Sequence, residues 1–138
     1  MTAEDLADQL EQILLEQEFD TRSAELTDKW VSEGIGLEAV EPTLRFMETH
    51  PNVDYGMPGA LVHFLERFYQ QGYEERLLES LRRQPTALTA WMLNRVINGT
   101  KEPELRQRLV AAMRAARSSP AADDNAKQAA DRFLQRLA

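Results

Sequence analysis

The chain has 138 residues, the size of one compact domain, and a chain of about 150 residues buries roughly 68–70% of its unfolded surface around a single core. Its residues are 43% hydrophobic and 28% charged, which excludes disordered and fibrous classes, and the absence of cysteine excludes disulfides, thiolate zinc sites, Fe–S clusters and cysteine nucleophiles. The formal net charge of −7 disfavours general nucleic-acid binding, which rests on phosphate neutralisation by Lys and Arg.

In chain order, Leu6, Leu10, Ile13 and Leu14 form the stripe of an amphipathic helix, with Thr2 and Asp5 as a capping pair ahead of it. Asp20 or Thr21 caps a second helix that runs to about Glu33, turns Leu26, Trp30 and Val31 inward and ends at Gly34-Ile35-Gly36. A third follows through Leu37, Val40, Leu44 and Met47. It either starts near Glu41 or is kinked at Pro42, and it ends at His50-Pro51-Asn52. Asp54-Tyr55-Gly56-Met57-Pro58-Gly59 is turn chemistry with Pro58 in a first helical turn. Met57, Leu61, Phe64, Leu65 and Phe68 then mark a strong apolar face, expected of a central helix. Tyr73, Leu77, Leu78 and Leu81 carry a fifth helix to Arg83, and Pro85-Thr86 opens a sixth that buries Leu88, Trp91, Met92, Val96 and Ile97 before Asn98-Gly99. Glu102-Pro103-Glu104 starts a seventh with Leu105, Leu109 and Met113. Ser119 and Pro120 start the last, with Ala126, Ala129, Ala130, Phe133 and Leu137 on one side.

No run alternates with period two over the length of a strand, so the expected fold is all-α. It is read as a single domain over residues 1–138 with seven or eight short antiparallel helices, packed as a bundle or as HEAT-like pairs. The acidic start, with no long apolar run after it, predicts neither a secretory signal nor a membrane span, and hence a cytoplasmic protein.

Charge is unevenly spread. Residues 1–54 hold 14 acidic against three basic side chains, a balance of −11, while residues 55–138 balance at +4. One part of the molecule is therefore expected to carry a strong negative potential, either as a binding face or as a solvated surface.

The catalytic and metal readings are poor. No nucleophile elbow, Walker loop, dinucleotide fingerprint or His-Glu-x-x-His occurs. His63 and Glu66 share a helix face at i, i+3, but a di-metal bundle needs matching pairs on other helices. His63 is therefore read as a packed or hydrogen-bonded structural residue, and neither a metal nor a cofactor is expected. Glu4-Asp5, Glu74-Glu75 and Asp123-Asp124 fall near helix starts, where the dipole favours acid, and Glu102 with Arg106 and Glu104 with Arg108 suit surface pairing. Tyr55, in a turn, is either a lid over the core or an exposed anchor for a partner.

Leu44-Arg45-Phe46-Met47-Glu48, the stretch from Asp54-Tyr55-Gly56 to Phe64-Leu65-Glu66, and Pro85-Thr86 with Trp91-Met92-Leu93-Asn94-Arg95 form a set. Across residues 37–100 it resembles the small all-helical immunity proteins encoded beside bacterial polymorphic toxins of the type VI secretion and contact-dependent inhibition kinds. The resemblance implies a protein without catalytic activity that binds one cognate toxin domain tightly and blocks it. The candidate contacts for that partner are Glu33, Glu41, Glu48 and Asp54, with Tyr55 as anchor. The alternative is a helical adaptor or scaffold for another protein. A homodimer is left open.

Overall fold

The computed structural model describes residues 1–56 and 58–137. Among them are eight α-helices, one 3-10 turn and no strand, so the protein is all-α. None of these helices is long and apolar enough to cross a membrane. The chain divides into two compact units, Met1–Tyr73 and Glu74–Ala138.

The first unit opens with α1 (Ala3–Leu14). Thr2 Oγ1 accepts from the Asp5 N–H and the Asp5 carboxylate accepts from the Thr2 N–H, a reciprocal cap that holds the Asp5 carboxyl below the usual range. Leu6, Leu10 and Ile13 face inward as their spacing requires. Helix α2 (Phe19–Ser32) begins earlier than Asp20 or Thr21 would set it. The chain turns at Glu18 with φ 60°, and no side chain caps the helix. Its far end is a Schellman motif: Gly34 takes φ 75°, Ile35 N–H donates to Trp30 O and Gly34 N–H to Val31 O. Val31, expected inside, is exposed, whereas Trp30 is fully buried. The Trp30 indole N–H donates to Gln9 Oε1 at 2.6 Å and its ring meets Phe64 edge-on at 5.4 Å, so one side chain joins α1, α2 and α4.

A 3-10 turn at Leu37–Ala39 leads into α3 (Val40–Thr49). Pro42 is the third residue of that helix, where its missing N–H has no intrahelical acceptor to lose, so the proline starts the helix without kinking it. Helix α4 (Ala60–Glu66) has only seven residues and is not a central helix. Pro58 precedes it instead of standing in its first turn, and Gly59 enters it at φ 95°. Leu61, Phe64 and Leu65 are buried and Phe68 half-buried, while Met57 lies outside the described residues.

In the second unit, α5 (Tyr73–Arg83) contributes Leu77, Leu78 and Leu81. Helix α6 (Ala87–Gly99) is capped by Thr86 and Thr89 reciprocally, and packs against both α7 (Pro103–Arg117) and α8 (Asp124–Leu137). Ala90, Met92, Leu93, Val96 and Ile97 are buried, which makes α6 the apolar middle of this unit. Ala126, Ala129 and Ala130 keep the buried face of α8 small. Leu88 and Trp91 are only half-buried, and Arg95 lies 5.0 Å over the Trp91 ring.

Several expected pairings and caps are replaced. Both Glu102 oxygens accept helix-start N–H groups, from Glu104 and Leu105, so Glu102 caps α7 and does not pair with Arg106. Arg108 reaches Glu75 on α5 in a bidentate pair at 2.9 Å instead of pairing with Glu104. Leu105, expected on the inner face of α7, is 37% exposed. Asp123, not Ser119, caps α8 by accepting from the Ala126 N–H, and Ser119 and Pro120 lie in the turn before it.

Candidate functional site

The charge asymmetry follows the division into units. Met1–Tyr73 contains 15 acidic and four basic side chains, so the balance of −11 belongs to one compact body, and Glu74–Ala138 balances at +4. Lys and Arg partners in the first unit are too few to neutralise its carboxylates.

Within that unit, α1 and α3 pack together and leave a groove of about 440 Å³ along their outer seam. Its floor is apolar: Ala3 and Ala7 from α1, Pro42 and Phe46 from α3. Its rim holds Glu4, Glu11 and Glu41 against one cation, Arg45. The helical repeat builds this surface, because Ala3, Ala7 and Glu11 recur every four residues on α1, and Glu41, Arg45 and Thr49 do the same on α3. The Arg45 Nε–H donates to Glu41 Oε1 at 3.0 Å. Glu11 Oε1 lies 2.7 Å from His50 Nε2, across the end of α3.

The arrangement suits a long cationic side chain. Its methylenes would lie on Phe46, Pro42 and the alanines, and its charged head would meet the glutamates, as Lys and Arg do wherever an apolar stem and a polar tip are both accommodated. Charge-assisted hydrogen bonds to carboxylates are the strong kind, and the fork of an arginine matches them best.

Of the residues singled out by sequence, only Glu41 lines this groove. Glu48 lies two turns further along α3, half-buried and outside the lining. Glu33 terminates α2, 3.9 Å from Lys29. Asp54 is exposed, and its Oδ1 accepts the Gly56 N–H in its own turn. Tyr55 takes the lid position and not that of an anchor. It is 6% exposed, its hydroxyl donates to His50 O at 2.7 Å, and its ring edge meets Phe19 at 5.7 Å and Phe46 at 6.3 Å. Burial, and then the charge of Glu11, push its phenol well above the usual tyrosine value. Glu4 and Glu11 went unrecognised as contacts. The signal was the alternation of alanines with acids on the outer face of α1, which marks a shallow acidic surface in place of a uniformly charged one.

Of the two readings of His63, packed or hydrogen-bonded, the structure has the second: the side chain is exposed, with Nδ1 3.3 Å from Glu66 Oε1. Among the described residues no three His, Asp or Glu side chains form a set able to hold a metal ion. No protein-family model, curated protein or solved structure matches the chain.

Proposed function

We propose that the protein is an immunity protein that binds and neutralises a cognate bacterial toxin domain, and that the α1/α3 groove is its principal contact. The observation that carries this reading is the confinement of a −11 balance to residues Met1–Tyr73, with Glu4, Glu11 and Glu41 rimming an apolar floor. Toxin domains that act on nucleic acids or nucleotides need basic clefts. An acidic surface of this kind occupies such a cleft in place of phosphate, and complementary fields raise association rates to as much as about 10⁸–10⁹ M⁻¹s⁻¹ at low salt. The resemblance over residues 37–100 points the same way. On this reading the protein carries no reaction of its own, acts without a cofactor, and works in the cytoplasm of the producing cell.

The deciding experiment is to read the neighbouring gene and, where it encodes a toxin-like domain, to co-express the two; absence of such a domain favours the adaptor reading. Rescue of growth is expected, and its failure leaves the adaptor reading. For the groove, replacing Glu4, Glu11 and Glu41 with Gln together should raise the Kd by at least about tenfold, or about 1.4 kcal/mol, and flatten its salt dependence. Unchanged affinity would make the face a solvated surface only.

A further inference from the structure

The second unit carries a surface of opposite kind. Arg106, Arg114 and Arg117 stand at i, i+8 and i+11 on one face of α7, a stripe about 16 Å long. With Val110 of α7 and Leu134 and Leu137 of α8 they line a groove of about 610 Å³. Arg117 lies 3.5 Å from Asp131, whereas Arg106 and Arg114 make no ion pair among the described residues. Two of these three cations, Arg106 and Arg114, stand over an apolar wall without carboxylates of their own, and such a surface calls for an anionic occupant with an apolar element.

A nucleic acid fits this poorly. Three arginines neutralise about three phosphates, fewer than the roughly six to ten of a firm DNA contact, and the −11 unit in the same chain repels a polyanion. A short acidic helix fits better, and the chain itself supplies one. On its outer face α1 exposes Glu4, Asp8 and Glu11 over about 10 Å, and beyond them Leu15 is 82% exposed. Carboxylates with a free leucine at one end match arginines beside an apolar wall.

We infer that the α7/α8 groove takes the exposed face of α1 from a second copy of this chain. The contact is heterologous, pairing two different surfaces. Glu4 and Glu11 also rim the α1/α3 groove, so a second copy and a basic partner compete for α1. Self-association rests on these two surfaces alone and does not depend on what that basic partner is.

Sedimentation of the full chain tests it. At about 0.1 M salt the mass should rise with concentration above 15.8 kDa, and at about 1 M, where the screening length falls from about 10 to about 3 Å, it should return to the monomer. R106Q/R114Q and E4Q/D8N should each stay monomeric with unchanged helical circular dichroism. The charge-reversed variants R106E/R114E and E4K/D8K should be monomeric alone and form a heavier species when mixed, which a merely structural effect would not produce. A wild-type chain that is monomeric at low salt overturns the inference, as does an oligomer that survives R106Q/R114Q. Binding of a labelled single-stranded RNA that those two substitutions abolish would also overturn it, and would make the groove a polyanion site.

Discussion

At Gly59 an added Cβ would lie 1.7 Å from the carbonyl oxygen of Tyr55, and the residue also holds φ 95°, outside the range that L side chains adopt readily. Gly34, by contrast, has φ 75° with nothing within 4 Å of the would-be Cβ. Gly34→Ala should therefore cost only the left-handed backbone, about 1–2 kcal/mol, whereas Gly59→Ala should cost more than that, because the turn must also open. Urea midpoints of the two variants, compared at equal m-value, test the difference. Tyr55 gives a second prediction at this scale. Its phenol is pushed up in the fold, so the native state keeps a proton that the unfolded chain sheds above about pH 10. Stability is then fully present below that pH and falls above it, by at most about 1.4 kcal/mol per pH unit from this group. Tyr55→Phe should make the alkaline fall shallower and, by removing the bond to His50 O, cost about 0.5–1.5 kcal/mol near neutrality. Parallel pH profiles for the two proteins would contradict this.

At the scale of elements, the apolar periodicity located nearly every helix, because spacing of 3.6 is a property of the residues themselves. Starts and ends were less legible. Asp20 and Ser119 are good caps by type, but the backbone at Glu18 and the competing Asp123 decided where α2 and α8 begin. Thr86 with Thr89 is the most buried of the caps, so Thr86→Ala should lower stability by about 1 kcal/mol. The central helix was misplaced for a related reason. The apolar run after Gly59 is dense but short, while α6 spreads its apolar residues around the helix and so packs against two neighbours. Pairing within one helix was likewise expected for Arg108, and proximity in sequence could not reveal Glu75 on another. Arg108 donates two hydrogen bonds to Glu75 and holds its carboxyl below the usual value of 4.5. The stabilisation is thus present above that value and lost as pH falls below it. Both groups are exposed, so Glu75→Gln should lower the melting temperature only slightly at pH 7, less in high salt, and progressively less as pH falls below 4.5.

At the scale of the whole molecule, the chain divides into two compact units. Each contains one tryptophan, Trp30 fully buried in the first and Trp91 half-buried in the second. In Trp91→Phe the fluorescence reports the first unit alone, while circular dichroism reports helix in both. Denaturation curves from the two signals are expected to separate; coincident midpoints would make all 138 residues one cooperative body. The candidate site was half legible. The acidic excess was plain from the counts, but its arrangement depended on which carboxylates share a seam, and that is fixed by how α1 meets α3.

The segregation of charge also governs how this protein behaves near its isoelectric point of about 4.9. Neutrality there is a cancellation between bodies, since the acid-rich unit remains an anion while the arginine-rich unit remains a cation. A chain with evenly mixed charges would be nearly inert to its neighbours at that pH. Here each body keeps a charge that attracts the opposite body of another copy, so the solubility minimum should be deep and should fill in on adding salt, the salting-in that marks a zwitterion more than a neutral particle.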